Sequence, residues 1–105
     1  MQTYQEFWPF YLREHSNPKN RNIHFMGTAL TLVVLIAALV AQNYFFLLGI
    51  PLCGYGFAWY GHFVVQKNKP ATFKHPFWSL YSDYRMFFLW LFRRLEPHLL
   101  AADVK

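Results

Sequence analysis

IHFMGTALTLVVLIAALVA, Ile23 to Ala41, and YFFLLGIPLCGYGFAWYGHFVV, Tyr44 to Val65, decide the fold between them. Each is long enough to cross a hydrocarbon layer of ~30 Å at ~1.5 Å per residue. Only Gln42 and Asn43 separate the two, so the helices must return as antiparallel neighbours. From Asn22 to Gln66 there is no Asp, Glu, Lys or Arg. A soluble core hairpin of that length needs charges for a wet face, whereas a bilayer requires their absence. Pro51 is expected to kink the second span, and Gly49, Gly54, Gly56 and Gly61 to let the helices approach closely.

Charge gathers at both flanks of this stretch. Arg13, Lys19 and Arg21 precede the first span, Lys67, Lys69 and Lys74 follow the second, and the turn carries none. The positive-inside rule then places both termini in the cytoplasm, across a bacterial inner membrane or an ER-like one. The net charge of +5 belongs to these flanks. No basic tract interleaved with polar residues suggests nucleic acid. Cys53 is alone in an apolar run, which leaves nothing for a disulfide framework and reads as a small buried hydrophobe. The start, MQTYQEFWPFYLREH, lacks a basic n-region and an apolar core, so no cleaved signal peptide is expected.

Outside the hairpin, Thr3 to Glu14 places Tyr4, Phe7, Trp8, Tyr11 and Leu12 at helical spacing despite Pro9. Residues 77–95 look helical again, but Asp83 and Arg85 argue against a third crossing. Both are expected to be amphipathic helices at the membrane interface. The chain from Glu96 onward reads as an ordinary tail. The expected fold is all-α: one membrane domain, 1–105, built on a two-helix transmembrane hairpin with flanking amphipathic helices.

Five histidines stand at 15, 24, 62, 75 and 98. His24 lies about 18 residues before the turn and His62 about 19 after it, which puts both ~27–29 Å from the turn on adjacent helices. His15, just across the NPKNRN turn, can fold back to that level, and His75 follows a loop that starts there. His15, His24 and His62 therefore form a candidate metal site, with His75 as a fourth ligand to be tested. Imidazole suits zinc, iron, copper or nickel, and three histidines leave positions open for a substrate. The competing reading makes each histidine an interfacial residue bonded to backbone, and His98, after Glu96-Pro97, fits it best. Asn20, four residues before His24, and Asn68, six beyond His62, are placed for outer contacts, as is Gln66. Arg21, Lys67 and Lys69 could attract a carboxylate, although flanking a membrane also explains them.

YLREHSNPKNRNIHFMG (11–27) and GYGFAWYGHFVVQKNKPATFKHPFWSLYSDYRMF (54–87) resemble the small membrane family that includes the fungal 2-hydroxy fatty acid dioxygenase. The resemblance covers roughly residues 4 to 95. It implies a multi-helix membrane protein and an Fe(II)-dependent oxygenase that removes one carbon from a 2-hydroxy fatty acid. The matched positions are His15, Asn20, His24 and His62, with Pro70 and Ala71 in the loop, while His75 fits the pattern poorly. Many relatives carry Glu where this chain has Gln66; if that acid is a ligand or a proton carrier, its replacement leaves an all-histidine, neutral site or an altered activity. Such an acid can chelate iron(II) through its carboxylate and hydroxyl. It supplies the electrons itself, giving the shorter acid, CO2 and water. The alternatives are a non-enzymatic scaffold or lipid-binding protein with structural histidines, and a zinc-dependent lipid hydrolase. The partners expected are a lipid or fatty acid and the membrane. Oligomeric state is open.

Overall fold

The computed structural model describes residues 2–70 and 73–104, and Ala71 of the loop motif lies outside them. Every regular element among the described residues is helical. Helix α1, Tyr4–Arg13, begins at Thr3, whose hydroxyl accepts the Glu6 N–H at 3.3 Å. Its apolar stripe of Phe7, Trp8, Tyr11 and Leu12 is buried. Asn17 then caps α2, Pro18–Ala41, by accepting from Lys19 N at 2.9 Å, with Pro18 in the first turn where its missing N–H costs nothing. Helix α2 thus starts five residues earlier than the apolar run.

Gln42 ends α2 in the left-handed conformation, φ 52°. Asn43 accepts from Phe45 N at 3.2 Å and opens a tight 3-10 turn, Tyr44–Leu48. The chain returns as α3, Gly49–Tyr60, and closes in a wide π-helical turn, Gly61–Gln66. The two arms run antiparallel. An added Cβ on Gly49 would touch Val34, one on Gly54 would touch Thr31, and one on Gly27 would lie 2.7 Å from Phe57 Cβ.

The hairpin therefore exists, but its return arm is not one continuous spanning helix. Among the described residues α2 alone is long and apolar enough to cross a membrane, with a mean hydropathy of 2.3 in its best window. Pro51, where a kink is expected, stands at the start of α3. Pro51 is the third residue of α3, in a first turn whose N–H groups have no intrahelical acceptor, so it opens the helix instead of bending it. The break in helical form comes before it, in the 3-10 turn.

Helix α4, Pro76–Leu91, lies against α1 and α2 through Tyr4–Ser82 (2.8 Å), Tyr11–Asp83 and Thr31–Tyr84 (2.9 Å) hydrogen bonds. It ends before Leu95, and the expected plain tail is instead helix α5, Glu96–Ala101. Leu95, Leu99, Ala102 and Val104 pack into one core with Phe7, Trp8, Leu12 and Met86. The spacing of Leu95 and Leu99 is one helical turn, and Trp8 Nε1 donates to His98 Nδ1 at 3.2 Å. His98 is therefore a packing residue. Together α1, α4 and α5 cover the charged end of the hairpin. Its far end stays bare: Val40 is 81%, Phe45 82% and Leu52 76% exposed.

Candidate metal centre

Three elements bring the histidines together. His15 follows α1, where the Arg21 guanidinium donates to the His15 and Ser16 carbonyls at 2.8 and 3.1 Å and holds the turn. His24 is the second residue of the apolar run of α2. His62 lies in the π-helical turn, whose extra residue per turn redirects side chains relative to α3. The ring centroids are 4.4 Å apart for His15–His24, 4.4 Å for His15–His62 and 4.9 Å for His24–His62. All three are buried, and one nitrogen of each lies within 4.8 Å of the others.

The hydrogen bonds determine which nitrogen each ring presents. His15 Nδ1 lies 2.6 Å from the Tyr11 carbonyl, which can only accept, so Nδ1 carries the proton. His62 Nδ1 lies 2.7 Å from Asn68 Oδ1. Asn68 is oriented because its Nδ2 donates to the Glu14 carbonyl at 2.9 Å, so His62 Nδ1 is also the donor. The Nε2 atoms of His15 and His62 then face each other, 2.9 Å apart, each with a lone pair. His24 Nε2 is buried without a hydrogen-bond partner. Lone pairs at that distance repel unless a cation lies between them. A proton is a poor candidate, because burial, and then the neighbouring His24 and His62, hold His15 well below its ordinary 6.5. A metal ion fits: imidazoles fixed by outer hydrogen bonds with inward-facing nitrogens are how proteins prepare histidine ligands.

Two residues not singled out from the sequence complete the site. Asp83 Oδ1 lies 3.8 Å from His24 Nδ1, beyond direct bonding, and accepts a short hydrogen bond from the Tyr11 hydroxyl. Burial lifts the Asp83 carboxyl to about 7, partly offset by the Tyr11 bond. Burial, and then Asp83, push Tyr11 upward, so the phenol stays protonated and donates. A fifth of the Asp83 side chain remains accessible because it borders a cavity. An acid among the apolar residues of a helix is a recognisable signal in a sequence.

The remaining candidates divide. Gln66 Oε1 accepts from Asn17 N (3.2 Å) and Asn20 Nδ2 (2.9 Å), and its Nε2 donates to Ser16 at 2.8 Å. Asn20 and Gln66 thus clamp the His15 turn to the π-helical turn without touching an imidazole. Buried Pro70 lies against the cluster. Arg21 is committed to the turn carbonyls, and Lys67 and Lys69 are exposed. His75 does not join the three. It stands before α4 with its ring stacked on Trp78 at 4.7 Å and edge-on to Phe7 at 5.4 Å.

At one end of an apolar helical hairpin stand three buried histidines that could together hold a metal ion. The chain belongs to the Mpo1-like family, described as 2-hydroxy-palmitic acid dioxygenase Mpo1-like, whose family model matches residues 1–95. No curated protein and no solved structure matches the chain.

Proposed function

We propose that this protein is an Fe(II)-dependent membrane dioxygenase that shortens a 2-hydroxy fatty acid by one carbon. The observation that carries the reading is the inward-facing pair of Nε2 atoms on His15 and His62 beside the unpartnered Nε2 of His24. The family's description supplies the substrate class. Iron(II), when bound by these three histidines, supplies the redox chemistry with dioxygen that no side chain here provides.

The protein's own residues do the rest. The Tyr11 carbonyl and Asn68 hold two ligands in the required tautomer, so binding needs no proton rearrangement. Three neutral imidazoles would leave a bound ion's charge uncompensated, so the cluster would favour an anionic carboxylate beside it. Gln66, an amide, keeps the clamp neutral. Asp83 and Tyr11, beside His24, offer a hydrogen-bonded pair to the substrate's head, and the exposed Lys67 and Lys69 draw anions toward this end.

Membrane insertion is part of the same proposal. Only a third of the best window of α2 is buried within the protein, unlike the core helix of a soluble domain. Val33, Ile36, Leu39, Phe45, Leu48 and Leu52 face outward on the hairpin's far end, where lipid is the solvent that suits them. Both termini then lie on the side of the basic flanks.

The test is oxygen uptake by iron-loaded protein given 2-hydroxypalmitic acid. One dioxygen consumed per CO2 released, with the acid one carbon shorter as product, is the expected result. Turnover with zinc that ignores oxygen would replace this reading with a hydrolase, since three histidines also suit zinc.

A further inference from the structure

A cavity of about 180 Å³ runs between α2, α3 and α4, starting at His24 and Asp83 and continuing past Thr28, Gly54 and Thr31 to Ile50. Thr31 is seven residues beyond His24, so the cavity reaches ~10 Å along α2 at ~1.5 Å per residue. Its volume holds roughly six groups of water size at ~30 Å³ each. The polar atoms on its deep wall satisfy each other. Thr31 Oγ1 donates to the Thr28 carbonyl at 2.6 Å, which leaves the Tyr84 hydroxyl to donate to Thr31 Oγ1 at 2.9 Å. The hydroxyl protons of Thr31 and Tyr84 are thus both spent within the wall. The rim residues Pro51 on α3 and Leu80 on α4 are exposed, so the cavity also opens sideways between these two helices.

We propose that this cleft binds the acyl chain of the substrate. The head lies at His24 and Asp83, the first several methylenes lie along Thr28, Gly54 and Thr31, and the remainder leaves past Pro51 and Leu80 into the bilayer. The proposal rests on the preceding reading for the head group's identity. A polar end at the metal-ligand side, an apolar groove leading away from it and a lateral exit match one amphiphile with a single aliphatic tail. Gly54 controls the width of the groove. A Cβ there meets only Thr31 Cγ2 at an ordinary 3.5 Å, so a methyl fits, whereas a longer side chain must occupy the groove.

The experiment compares binding of 2-hydroxypalmitic and 2-hydroxyhexanoic acids to iron-loaded wild type, Gly54→Ala and Gly54→Leu, by anaerobic calorimetry in detergent. Gly54→Leu is expected to weaken the long acid about tenfold or more, near 1.4 kcal/mol. The short acid, which ends before Gly54, should bind unchanged, and Gly54→Ala should resemble wild type. Equal losses for both acids, or none for either, would overturn the proposal. If Gly54→Leu loses helical content, Ile50→Phe narrows the same groove one turn further out and is read by the same criterion. Oxygen uptake is followed separately. Long-chain binding that depends on Gly54 without turnover keeps the groove and removes the oxygenase. Turnover indifferent to Gly54 does the reverse.

Discussion

His15 is buried and Asp83 is partly buried beside the same cluster, yet loss of solvent acts on them in opposite senses. His15 is held below 6.5, so its neutral form is favoured in the folded state. Its contribution to stability is present above 6.5 and is lost as pH falls toward the lowered folded value. Asp83 is raised from 3.8 to about 7, so its contribution is present below 3.8 and is lost as pH rises through 7. Between about pH 4 and 6.5 the two slopes oppose. Metal-free Asp83→Asn protein should therefore gain thermal stability with pH more steeply than wild type over that window. Parallel melting curves would contradict the assignment. Two of the three clustered histidines were legible as a set from helix rise alone, since His24 and His62 lie about equally far from the turn. Asp83 and Tyr11 were not, because their pairing depends on α4 folding back onto α1, and no spacing within either helix encodes that. His75 misled because nearness of its loop says nothing about ring direction, and Trp78, three residues on, offers it a stacking surface.

The return arm of the hairpin carries the site's geometry. A regular α-helix through Gly61–Gln66 would turn each side chain there by about 100° per residue; the wider π turn changes that progression where His62 must meet His15. Gly61 makes room for it: an added Cβ would lie 2.0 Å from Asn20 Oδ1, a buried side chain whose Nδ2 is held by Gln66. Gly61→Ala should destabilise the protein by about 1–3 kcal/mol by displacing that clamp. In an Asn20→Ala background most of the penalty should vanish. Additive penalties, measured as a double-mutant cycle on thermal unfolding in detergent, would show that Gly61 acts elsewhere. The sequence announced an apolar arm with several glycines, but not its division into 3-10, α and π segments. Those alternatives differ by small local energies that tertiary contacts decide, and Pro51 was read as a kink because its place in the first turn depends on where the 3-10 segment ends.

At the scale of the molecule, the fold separates two environments. One end is an aromatic core of α1, α4 and α5 that shields three imidazoles; the other is a bare apolar hairpin. The all-helical class and the apolar hairpin were plain in the uncharged stretch from Asn22 to Gln66. The closing role of α5 was not, because Leu95, Leu99 and Ala102 make too short a pattern to distinguish from a tail until Trp8 and His98 supply a surface. This arrangement makes sense if its purpose is to hold an ion at the end of a lipid-facing groove, so metal content is the direct test. Protein purified anaerobically in mild detergent and loaded with iron(II) should hold about one iron per chain. A His24→Ala/His62→Ala variant of unchanged helical content should hold almost none. Equal, negligible metal in both, after iron and zinc have each been supplied, would contradict the metal centre and leave three histidines that serve packing alone.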